Sequence, residues 1–153
     1  MAAQPRYVGS LLANTQPVVK TFAVANGVTV TEGDLVYFAS GRITSASVAG
    51  ARLIGQVLAT ATGNSGGTVT APVNVDPNAI YQIVNDNVGT TFAATHVGTY
   101  FDMIGATGAQ LVDTSTTSAT TGQMLCLAYN PDNAGATVGH YKIAEHASSP
   151  LGS

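Results

Sequence analysis

The sequence predicts an all-β fold: a short-stranded β-barrel or sandwich with an extended N-terminal arm and little helix. Alternation of apolar and polar residues with a period of two recurs along the chain, and Gly, Asn, Asp and Pro turns interrupt it at short intervals. No window of about twelve residues joins good helix formers and 3.6-residue apolar spacing to freedom from Gly, Pro and β-branched clusters. Short strands so spaced are the pattern of sandwiches and barrels.

In chain order, residues 1–20 read as the arm, because Pro5 and Pro17 fix φ and remove backbone donors, which disfavours continuous sheet. In FAVANGVTV, Phe22 and Val24 precede Asn26-Gly27, and Val28 and Val30 follow, the pattern of a hairpin with a two-residue type I′ turn. Leu35-Val36-Tyr37-Phe38 and Met124 to Tyr129 are continuous apolar runs suited to strands covered on both faces. Residues 42–54 come nearest to a helix, but Ile43, Thr44, Val48 and Gly50 weaken it. Arg52 to Ala59 reads as a strand. Residues 62–67 form a Gly/Ser loop that divides an N-terminal β unit from a C-terminal one. In TVTAPVNV, Val69, Ala71, Val73 and Val75 share one face, with Thr68, Thr70 and Asn74 on the other. Ala79 to Val84, Tyr100 to Ile104, Gln110 to Val112 and Val138 to Ala144 complete the strands, and Thr90 to Val97 has the length of one or two helical turns. Residues 113–122 (DTSTTSATTG) read as an exposed loop. The body is therefore 21–147, and 148–153 a flexible tail.

Composition excludes several functions. Of 153 residues, five are basic and eight acidic, for a net charge of −3 and a charged fraction of 8%, against a usual quarter. Arg6, Lys20, Arg42, Arg52 and Lys142 are scattered, so the basic surface that nucleic acid requires is missing, and so is polybasic attraction to a membrane. With 45% hydrophobic residues, global disorder is excluded. The single cysteine, Cys126, rules out an internal disulfide framework. The opening residues hold no apolar core of signal-peptide length, and the apolar runs, Leu35 to Ala39 and Met124 to Tyr129 among them, are far short of a membrane span. A soluble protein made in a reducing compartment is expected.

No enzyme constellation emerges. His96, His140 and His146 form no H-x-x-x-H, and Cys126 has no second cysteine beside it, so neither a zinc set nor another metal or cofactor site is expected. Cys126 alternates with Met124 and Ala128, the position of a small buried hydrophobe rather than of a thiolate. Asp34, Asp76, Asp86, Asp102, Asp113 and Asp132 mostly fall in turns, where an Asp side chain bonds its own backbone. The only near pair of acids, Glu32-x-Asp34, reads as a turn before a strand, and Gly63 to Gly67 lacks the Lys and the helix of a phosphate loop. What remains is a chain poor in Lys, Glu and Asp, the composition of interface cores rather than of freely dispersed monomers.

Glu32-Gly33-Asp34-Leu35-Val36, Gly41-Arg42-Ile43 and Ile54-Gly55-Gln56-Val57 come in an order, before an alternating Val-rich strand, that resembles small β-rich head proteins of tailed bacteriophages. Asn78 to Ile83, Thr95 to Asp102 and the last strand near Ile143 with Glu145-His146 extend the likeness, which covers most of residues 20–146. The family is that of the capsid decoration, or cement, proteins. The resemblance implies a non-enzymatic β subunit, commonly a homotrimer, on the outer surface of an icosahedral capsid and so in the virion, made in the host cytoplasm. Such a subunit bridges neighbouring major capsid protein subunits and stabilises the shell. The alternative is a β-sandwich binding module, such as a head-fibre or tail component for carbohydrate or receptor. Against it, Trp is absent, and Tyr37, Tyr81 and Tyr129 sit in strand-like runs.

The arm is the expected contact with the capsid or a neighbouring subunit. Arg6, Tyr7, Val8, Leu11, Leu12, Val18 and Val19 would leave much apolar area in water if the segment were a solvated tail.

Overall fold

A strand apolar on both faces needs cover on both, and the run Leu35-Val36-Tyr37-Phe38 finds it between two cores. The computed structural model describes residues 4–12, 16–45, 51–86, 93–118, 122–129 and 138–145. The strands are β1 (Arg6–Ser10), β2 (Val19–Ala23), β3 (Thr29–Val30), β4 (Leu35–Ala39), β5 (Arg42–Ser45), β6 (Leu53–Val57), β7 (Ala61–Thr62), β8 (Thr70–Asn74), β9 (Ala79–Val84), β10 (Tyr100–Ile104), β11 (Leu111–Ser118), β12 (Met124–Tyr129) and β13 (Val138–Ile143). A short 3-10 turn stands at Ala94–His96. The all-β expectation holds.

The strands form two antiparallel sheets and a short pair. One sheet has the order β1-β9-β13-β12-β10-β11, the other β2-β8-β6-β4-β5, and β3 pairs with β7. Both sheets curl. Val24, just past β2, bridges Ile43 of β5, and Asn85, just past β9, bridges Val112 of β11. Each curl wraps its own core. The six-stranded sheet packs Tyr81, Ile83, Phe101, Met103, Met124, Cys126 and Tyr141 together. The five-stranded sheet packs Val24, Ile43, Ala71, Val73 and Val75 with the β3 residue Val30. Strands β4 and β6 serve both: Leu35 and Leu53 enter the first core, Val36 and Ile54 the second. Successive side chains of a strand point to opposite faces, so two neighbouring apolar residues can feed two cores.

Buried polar side chains tie the sheets together. The Gln110 amide accepts from Leu35 N at 2.7 Å and donates to Leu35 O at 2.9 Å, as a strand neighbour would. Gln123 does likewise, accepting from Met103 N at 2.9 Å and donating to Ala51 O at 2.8 Å. Asp34, fully buried, accepts from Thr31 N, from Gly108 N and from the Thr107 hydroxyl. The turn between β10 and β11 is thereby fastened to the turn before β4.

Three sequence expectations change. Asn26-Gly27 does turn the chain, with Val28 N donating to Ala25 O at 3.0 Å. However, Gly27 has φ 70° while Asn26 is not among the positive-φ residues, so the turn is not type I′. Such turns splay the flanking strands, and β2 pairs with β8 while β3 pairs with β7. Residues 113–118 continue β11 along β10 instead of forming a loop, because β-branched Thr fits a pleated edge. Residues 42–54, read as too weak for a helix, are indeed strand at both described ends, in β5 and β6. The chain passes from one sheet to the other at Val75–Asn78, rather than at the 62–67 loop, which leads from β7 to β8 within the first unit. The tail at 148–153 lies outside the described residues, as do residues 90–92 of the Thr90 to Val97 stretch.

Candidate functional site

The arm is built into the body at its backbone and open at its side chains. Residues Arg6–Ser10 form an edge strand on β9, with a bulge between Tyr7 and Gly9, although Pro5 was expected to disfavour sheet there. Pro5 stands just before the first paired residue, where its missing N–H costs no ladder bond. It is buried, and Gln56 Nε2 donates to its carbonyl at 2.7 Å and to Gly33 O at 3.1 Å. Leu11 N donates to Asn78 O at 2.9 Å, and Val75 N donates to Val18 O at 2.7 Å, so both ends of the β1–β2 connection are held.

On this pinned backbone stand Val8 (42% exposed), Leu11 (50%), Leu12 (53%), Val18 (49%) and Val19 (48%). Arg6 is exposed beside them. Tyr7 differs from the other six residues of the expected contact: alternation along β1 turns it inward, where it packs edge-on against Tyr81 at 6.3 Å between ring centroids. Exposed apolar side chains thus stand on two described stretches, residues 8–12 and 18–19, whose backbones are hydrogen-bonded to the body. Next to the first lies a groove of about 500 Å³ lined by Pro5, Arg6, Tyr7, Glu32, Gln56 and Leu58, among others.

The candidates for chemistry occupy structural places. His96 Nδ1 accepts from Ala93 N at 3.1 Å, and its ring stands perpendicular to Phe101 at 5.6 Å. His140 is exposed on β13, and His146 lies outside the described residues. Asp76 and Asp34 bond backbone N–H groups of their own turns, whereas Asp113 lies within β11 and accepts from Ser115 N there. Among the described residues no three His, Cys, Asp or Glu side chains gather as a metal set would require. The sequence offered no sign of the Gln56 hold on Pro5, since an isolated Gln in a strand has no motif.

Cys126 is 1% exposed, and burial pushes its thiol up from 9.0 to about 11. Tyr81 and Tyr141 are also raised, by burial first. A raised folded-state pKa means the native state keeps its proton longer than the unfolded chain, so stability is intact below pH 9.0 and falls as pH rises toward about 11. Accordingly, a thiol reagent at about pH 8 should label Cys126 only after denaturation. Rapid stoichiometric labelling of native protein would contradict the buried placement.

No family model matches the chain, and no curated protein matches it. Among solved structures, the head fiber gp8.5 N base of bacteriophage phi29 is similar with a TM-score of 0.49 and 13% identity, covering 87% of this chain and 99% of that one. Likeness at that level assigns no residue a role.

Proposed function

We propose that this protein is a structural component of a tailed-bacteriophage head, a decoration protein on the outer surface of the capsid that bridges major capsid protein subunits as a homotrimer. The observation that carries the reading is the apolar strip Val8, Leu11, Leu12, Val18 and Val19, exposed on a hydrogen-bonded backbone. Free monomers rarely keep such a strip in water. The order of sequence pieces that resembles the cement proteins supports it, as does a charged fraction of 8%. Two cores that share the strands β4 and β6 give the stiffness that a shell brace needs, and several weak contacts per trimer add to tight seating. The protein acts without catalysis or cofactor.

The test is a reconstruction of particles from the source, with and without this protein. Density on the outer surface, in contact with more than one capsid subunit, is expected. Particles lacking that density, or carrying it only inside the shell, would overturn the proposal. The same images distinguish a seat on the shell from a place in a head fiber, the assembly named for the phi29 protein.

A further inference from the structure

The exposed strip lies in a stretch without a single acid. Residues 1–31 contain Arg6 and Lys20 and no Asp or Glu, and all eight acidic residues come later, against three basic ones. Arg6 and Lys20 are both exposed. Between them in sequence stand Val8, Leu11, Leu12, Val18 and Val19. An apolar centre with cationic ends, on a protein of net charge −3, fits an anionic surface.

The chain itself supplies two half-buried carboxylates on neighbouring strands. Asp102 of β10 and Asp113 of β11 are direct partners across the two strands. Alternation that sends Phe101 and Met103 into the core turns Asp102 away from it. Like charges opposite each other in an antiparallel pair repel and concentrate negative potential. The geometry points to a second copy of this chain as the occupant of the strip, with Arg6 and Lys20 of one protomer directed at Asp102 and Asp113 of the next. Two unlike patches of opposite charge make a head-to-tail contact, the kind that closes into rings. This inference rests on the trimer in the proposed function and narrows the strip's role in that trimer to the contact between copies.

Sedimentation of the full chain at about 50 mM and about 500 mM NaCl tests it. Wild type should associate, more weakly at high salt. Leu11→Ser with Leu12→Ser should give monomers at both. Arg6→Glu with Lys20→Glu, and separately Asp102→Lys, should each weaken association about tenfold at low salt. Combining all three charge changes in one chain should recover it. Circular dichroism checks that every variant stays folded. Wild type that remains monomeric, Leu variants that associate normally, or a combined charge variant that fails to recover would each overturn the inference. Capsid binding is scored apart: a monomeric protein that still decorates capsids sinks the contact between copies and leaves the capsid role standing. A trimer that behaves as expected but ignores capsids does the reverse.

Discussion

Replacing Gly55 with alanine should leave little folded protein. Gly55 lies in β6, which is buried along its whole length between β4 and β8. A Cβ at this position would stand 1.9 Å from Asn74 O and 3.1 Å from Val73 Cγ1. The first obstacle is backbone in a paired strand, so no side-chain rotation relieves it. Either β8 moves away, opening the second core at Val73, or β6 shifts and withdraws Leu53 from the first core. Overpacking of a well-filled interior costs about 1–3 kcal/mol and more when backbone must move, so a loss of about 3 kcal/mol or more is expected in urea unfolding. Gly66→Ala is the control. Its Cβ would meet Thr68 Cγ2 at 3.7 Å and Asn64 Oδ1 at 3.9 Å, both ordinary contacts, and the change should stay within about 0.5 kcal/mol. Equal stability of the two variants would refute the packing of β6 on β8.

Why one glycine should matter so much was not visible in the sequence, whereas the strand around it was. Period two located β8 and β9, and the inward set Ala71, Val73 and Val75 is buried as the alternation requires. The apolar run at Leu35 announced a strand covered on both sides but not that the covers are separate cores. That depends on which distant strands curl to meet, and nothing local encodes the Val24–Ile43 or Asn85–Val112 bridges. Asn26-Gly27 shows the same limit. Its composition permits a type I′ turn, yet the pairing of β2 with β8 and of β3 with β7 draws the flanking strands apart, and the turn follows the tertiary structure. Among the expected contact residues, the apolar excess of the arm was legible because Val and Leu in an extended segment leave area in water. The inward turn of Tyr7 was not, because it needs the register of β1 on β9.

Asp34 shows a third kind of hidden information, and its removal is the other change expected to have a large effect. In sequence it belongs to a commonplace Glu-Gly-Asp turn. In the structure it is 0% exposed, and its carboxylate accepts from Thr31 N at 2.8 Å, from Gly108 N at 2.8 Å and from the Thr107 hydroxyl. The first bond closes its own turn. The other two hold the loop between β10 and β11, some seventy residues away, against the other sheet. Asp34→Ala removes the acceptor and leaves two backbone donors facing a small void, each costing about 1–3 kcal/mol if no water replaces the oxygen. A loss of about 3 kcal/mol is expected in denaturant unfolding. Asp34→Asn keeps one carbonyl oxygen but sets an amide against a donor, so it should recover only part of that loss. The transition should nevertheless remain single. Leu35 and Leu53 lie in one core and Val36 and Ile54 in the other, so neither sheet can unfold without stripping β4 and β6 from its partner. Two separate transitions in Asp34→Ala, followed by near-UV and far-UV circular dichroism, would show that the carboxylate rather than the shared strands makes the two cores one cooperative unit.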